Sequence, residues 1–207
     1  MIILKKLFFL IGLFVVLFSA QTYAQAATYT VKSGDSIWKI AVKYQVGMSE
    51  ILAQNPQVKN PSLIYPGQKL TIPSLDSVKS FENEVIRLVN VERSKKGLGA
   101  LQANWELSRV ARYKSQDMAN KGYFSHTSPT YGSPFAMMEN FGIRFSSAGE
   151  NIAYGQRTPA EVMKGWMNSA GHKANILSPS YTQIGVGLAK NKSGTSYWTQ
   201  MFIKPLK

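Results

Sequence analysis

Residues 149–177 read GENIAYGQRTPAEVMKGWMNSAGHKANIL, and the fold of the second half of the chain turns on them. Thr158-Pro159-Ala160-Glu161 has the pattern of a helix start. The Thr158 hydroxyl can accept from the Glu161 amide, the Glu161 carboxylate can reach back, and proline at the first helical position gives up no needed donor. Val162 and Trp166 then share one helical face, which predicts that Trp166 is a core residue. Gly171 is expected to end that helix. On this reading Glu150 precedes a helix and His172 follows it. The other of the chain's two histidines, His126, sits in Tyr123-Phe124-Ser125-His126-Thr127-Ser128-Pro129.

Three ordered motifs, Phe124 to Pro129, Gly149 to Ala153 and Gly171 to Leu177, resemble a bacterial CAP (SCP-like, pathogenesis-related-1-type) domain. Asn90-Val91-Glu92-Arg93 and Tyr197-Trp198-Thr199-Gln200-Met201-Phe202 extend the likeness over residues 79–207. The resemblance implies a three-layer α-β-α sandwich with His126, Glu150 and His172 converging in one cleft. Animal members of the family usually carry a second glutamate three residues past the tryptophan equivalent to Trp166. Here that position is Ser169.

The first half has its own pattern. Tyr29-Thr30-Val31 reads as a strand and Ser33-Gly34-Asp35-Ser36 as a capping turn, with Ile37, Ile40, Ala41 and Tyr44 at helical spacing behind it. Ser49 is expected to cap a second helix that closes at Asn55-Pro56, and Lys69 to Ile72 alternates as a final strand. This βααβ unit, residues 28–73, resembles a LysM module. The resemblance implies a shallow groove for N-acetylglucosamine glycans, peptidoglycan or chitin-like. It assigns Gly34, Asp35, Ser36 and Ile37 to one wall, and Asn60, Pro61, Leu63 and Ile64 to the other. Residues 74–78 read as a short polar linker. The fold class expected for the whole chain is α+β.

Residues 1–26 have the form of a signal peptide: Lys5-Lys6, an apolar run from Leu7 to Phe18, and small residues around Ala24 or Ala26 where cleavage is expected. That reading makes the protein exported, with no stable membrane span after cleavage. The chain has no cysteine, which excludes disulfides, thiolate nucleophiles and Cys-type zinc sites. The net charge of +13 is spread over both modules, with five Lys/Arg against two Asp/Glu in residues 28–73 and seventeen against eight in residues 79–207. Outside a bacterial cell such a surface attracts anionic wall polymers. No nucleic-acid-binding motif accompanies the charge.

The cleft leaves three chemistries open. His126 and His172 could bind a divalent metal such as zinc with Glu150 as third ligand or orienting partner, Glu150 could act as a general base, or the three could form a hydrogen-bonded network. The histidines are 46 positions apart, without His-Glu-x-x-His or His-x-His spacing, and no Gly-x-Ser-x-Gly elbow is present. A two-carboxylate glycosidase lacks its second acid at Ser169. The sequence thus favours a cell-wall or spore-envelope protein that binds glycan through its first module and presents a non-enzymatic second module. The rival is a metal-dependent wall hydrolase working through the His126/Glu150/His172 cleft.

Overall fold

The computed structural model describes residues 26–206, so the signal-peptide expectation lies outside the described residues. The first module is built from β1 (Ala27–Thr30), α1 (Ile37–Tyr44), α2 (Met48–Ala53) and β2 (Lys69–Ile72), with β1 and β2 paired antiparallel. Its core gathers Tyr29, Val31, Ile37, Ile40, Val46, Ile51, Leu70 and Ile72. The Ser36 hydroxyl accepts from the Lys39 amide and caps α1. Helix α2 starts two residues earlier than Ser49 would place it, because the Glu50 carboxylate accepts the Gly47 amide instead. Asn55, fully buried, ties the module together. Its amide nitrogen donates to Ile51 O and Thr71 O, and its oxygen accepts from Thr71 N.

The expected linker is only partly a linker. Helix α3 (Asp76–Ser94) already begins at Asp76, while Leu75 packs on the first module's core and Val78 on the second's. Lys79 Nζ donates to Tyr44 O at 2.8 Å, and Ser49 Oγ lies 2.7 Å from Tyr113 Oη, so polar contacts also cross the boundary.

The second module continues through β3 (Gln102–Ala103), α4 (Trp105–Lys121), α5 (Pro134–Asn140), β4 (Phe145–Tyr154), α6 (Pro159–Met167), α7 (Ala170–Ile176), β5 (Gln183–Lys190) and β6 (Ser196–Pro205). The sheet order is β3-β5-β6-β4, antiparallel except for the short parallel β3–β5 edge. Helices cover both faces, which gives the α-β-α layering. On one face Val85, Val89, Val162, Trp166 and Ile176 pack against Val186, Trp198 and Phe202; on the other Leu107, Val110, Met137 and Met138 pack against Met201 and Ile203. Trp166 is buried, as expected, and its indole nitrogen donates to Ile152 O.

Helix α4 crosses β5 at backbone contact. A Cβ on Gly185 would fall 2.4 Å from the Leu107 carbonyl carbon, and one on Gly187 would fall 2.1 Å from Arg112 N. The alternating glycines are therefore the surface on which α4 lies. Beside this crossing a buried ion pair joins two helices: Arg112 donates through Nε and Nη2 to Glu82 at 2.9 and 2.8 Å.

Candidate functional site

Two features of the local sequence read differently in the structure. Helix α6 stops at Met167, not Gly171, and Ser169 opens a new helix, α7, in which His172 occupies the first turn. Gly171 is thus inside a helix, since the break falls at Asn168-Ser169, where the backbone leaves and re-enters the helical region.

His126 and Glu150 meet. Nδ1 of His126 lies 2.7 Å from Glu150 Oε1, and with the glutamate ionised Nδ1 carries the proton. The Glu150 side chain is 1% exposed, the His126 side chain 55%. The carboxylate is thus the floor of the site and one imidazole edge its mouth. Burial pushes the Glu150 carboxyl up, opposed by the His126 hydrogen bond and by the positive charge of Lys114. Its second oxygen is buried without a protein partner. Burial pulls His172 down, and the neighbouring His126 adds to that, so His172 is neutral near pH 7.

The loop carrying His126 is held by helix α4. Lys114, completely buried, donates to the carbonyls of Ser125 and His126, both at 2.7 Å, and lies 5.3 Å from the Tyr123 ring centroid. One turn on, Asp117 accepts from Tyr123 Oη at 2.6 Å, Ser128 Oγ at 2.7 Å and Thr130 Oγ1. Burial raises the Asp117 carboxyl, but these hydroxyls outweigh it and hold the group below the usual carboxylate range. Sequence reasoning missed both residues. The signal was present: Lys114 occupies a stripe position of α4 between Ala111 and Met118, where an apolar side chain is expected.

The other motif residues join β4 to α7. Asn151 donates to His172 O at 3.1 Å and Gln200 Oε1 at 3.0 Å, and Asn175 donates to Asn151 Oδ1 at 2.8 Å and Glu150 O at 3.2 Å. Gly149 is needed for closeness, since a Cβ there would sit 2.5 Å from Tyr181 Oη.

Of the two parts open to Glu150 at a metal, ligand or orienting partner, the contact with His126 Nδ1 corresponds to the second. Among the described residues no three His, Cys, Asp or Glu side chains are grouped to hold a metal ion. Glu150 Oε1 is committed to the His126 nitrogen, its other oxygen is enclosed, and Ser169 adds no carboxylate. The arrangement expected of His126, His172 and Glu150 thus has its carboxylate on an imidazole nitrogen, with the other edge of His126 exposed. The two serines that flank His126 in its motif are engaged in holding the loop. Ser128 Oγ is bonded to Asp117 and to the amides of Thr130 and Tyr131, and Ser125 Oγ to the Thr127 amide.

In the first module the residues expected at the groove divide by role. Ile37 is 1% exposed and is core. Asp35 accepts from Tyr29 Oη at 2.7 Å and Lys32 N at 2.8 Å, which pushes the Tyr29 hydroxyl up to about 12; Ser36 is the helix cap. Asn60 Oδ1 accepts the Ser62 amide, and Ile64 is half-buried against the core. Gly34 and Pro61 are exposed, as is Leu63 at 55%. Lys39 Nζ donates to Gly34 O at 2.7 Å. Trp38, next to the buried Ile37 on α1, is exposed.

The architecture is that of a two-module protein, a small βααβ unit followed by an α-β-α sandwich. The profile described as "CAP: Cysteine-rich secretory protein family" matches residues 86–202, and "LysM domain" matches residues 29–73. The chain belongs to the CAP family and carries a LysM domain ahead of the CAP domain. It is 56% identical over 133 residues to "Uncharacterized protein YkwD" of Bacillus subtilis, covering 64% of this chain and 51% of that protein. A 46-residue stretch, 22% of this chain and 12% of the relative, is 50% identical to "SpoIVD-associated factor A" of Bacillus subtilis. A crystal structure of an extracellular SCP-domain protein from Bacillus anthracis superimposes with TM-score 0.58 at 31% identity, over 67% of this chain and 47% of that one. The chain spans about half the length of the curated relatives it matches over the CAP domain. No helix among the described residues is long and apolar enough to cross a membrane.

Proposed function

We infer that this is an exported envelope protein, held on peptidoglycan or a related glycan by its LysM domain, whose CAP domain binds a ligand without cleaving it. The LysM family supports the first half, and the likeness to a spore factor supports a cell-wall or spore-envelope setting. The observation that carries the second half is the state of Glu150. A general base needs a free oxygen aimed at a water or substrate proton. Here one oxygen is hydrogen-bonded to His126 and the other is buried, so Glu150 itself offers no oxygen to a substrate and acts on the exposed His126 imidazole, which we read as part of a binding surface.

The test is to incubate the full chain with insoluble peptidoglycan across a salt series, then assay pellet and supernatant. Co-sedimentation that survives high salt without released fragments is expected, because groove binding is screened less than attraction to anionic wall polymers. Soluble fragments that disappear in Glu150→Gln would establish the hydrolase reading instead. Binding lost entirely at high salt would reduce the association to charge.

A further inference from the structure

Beside the His126–Glu150 pair a groove of 320 Å³ runs along the end of β4 and the α6–α7 junction. Two aromatic side chains from separate elements stand at it, Phe124 from the His126 loop and Tyr154 from the last position of β4. They are 52% and 50% exposed, and their ring centroids are 6.0 Å apart. Tyr154 is steadied from behind by Tyr197, edge-on at 4.9 Å. Trp166 helps form the lining, and Gln156, Ser169 and His172 supply neutral polar groups. The Gln156 side-chain oxygen has no protein partner, and Ser169 makes no side-chain cap bond to α7.

The charge of this groove decides what suits it. The chain carries a net +13, yet no lysine, arginine, aspartate or glutamate lines this surface. His172, the one titratable lining group besides Tyr154, is held neutral by its surroundings. A phosphate polymer or a peptide carboxylate would find no counter-charge there. An uncharged ring with one apolar face and several hydroxyl or amide groups would match both the aromatic wall and the neutral donors and acceptors. Two exposed aromatic rings at a concave surface are otherwise a solubility cost.

We propose that the groove bounded by Phe124 and Tyr154 is a second glycan subsite, taking an uncharged N-acetylhexosamine ring stacked on the aromatic pair, with Gln156, Ser169 and His172 serving its polar groups. The proposal rests on the reading of the CAP domain as a binding module and names its ligand class. It gives one chain two glycan contacts of different construction, which raises avidity for a continuous strand without strengthening either contact.

The experiment is a residue-resolved NMR titration of the full chain with tetra-N-acetylchitotetraose, then with inorganic polyphosphate. Two sets of shifts are expected with the sugar: one at Gly34 and Leu63, the other at Tyr154, Gln156, Ser169 and the Trp166 indole. Phe124→Ala should erase the second set and leave the first. Phe124→Ser, with amide dispersion unchanged elsewhere, guards against a folding artefact. Shifts confined to the LysM set would overturn the second subsite while leaving the LysM reading intact. Silence in both sets would overturn both, and a groove that answers only to polyphosphate would overturn the neutral-sugar assignment.

Discussion

The two modules solve the same problem of displaying polar groups in different ways. In the LysM domain the polar groups expected at the groove work within a few residues of themselves: Asp35 holds Lys32 N and Tyr29, Ser36 caps its own helix, and Asn60 closes its own turn. In the CAP domain the site is assembled across the chain. Glu150 meets His126 over 24 positions, Asn151 meets Gln200 over 49, and Lys114 and Asp117 hold a loop that begins after their own helix has ended. The lesson is one of fragility. A locally built loop tolerates the loss of a side chain, whereas a site built from buried long-range polar contacts leaves unsatisfied partners behind when one member is removed.

That contrast can be broken or sharpened by mutation. The largest effect is expected from Trp166→Ala, which opens a cavity under β4 and should cost about 3–5 kcal/mol. Residue-resolved hydrogen exchange should show the loss in residues 79–206 and leave protection at Ile40 and Leu70 unchanged. A loss shared equally by both modules would mean that the contacts at Lys79 and Tyr113 couple them into one folding unit.

Asp117→Asn should cost about 1–3 kcal/mol at neutral pH and loosen the His126 loop. The native carboxyl lies below its unfolded value, so the native state binds fewer protons. Its stabilisation is therefore present above the ordinary aspartate range and lost as pH falls through the folded value. Wild type and Asp117→Asn should converge in urea melts at acid pH, and a constant gap would contradict the assignment. In the LysM domain Asn55→Ala is the matching test, also expected at about 1–3 kcal/mol, because it removes a fully buried side chain and leaves the half-buried Thr71 N without that acceptor.

Ser36→Ala should cost about 1 kcal/mol through loss of the α1 cap, measured by exchange of the Lys39 and Ile40 amides. Leu63→Ala should change stability by less than about 0.5 kcal/mol, since the side chain is exposed. It should nevertheless reduce co-sedimentation with peptidoglycan, and unchanged pelleting would remove Leu63 from the groove.

Much of this was legible in the chain. The α6 start at Thr158-Pro159 and the burial of Trp166 follow from short-range patterns, and the structure has them. The end of α6 was not legible, because glycine is a weak breaker inside a helix whose register is reset two residues earlier by Asn168 and Ser169.

By itself the sequence determined the order of the two modules, the motifs at His126, Glu150 and His172, and the lack of a second acid at Ser169, because each is a matter of residue type and local spacing. Only the tertiary structure decided that Glu150 is spent on His126, that Lys114 and Asp117 clamp the loop above it, and that Phe124 and Tyr154 meet at one groove. These depend on which distant surfaces are brought within hydrogen-bonding or van der Waals range, and on how much water is left between them. A sequence pattern does not contain that quantity.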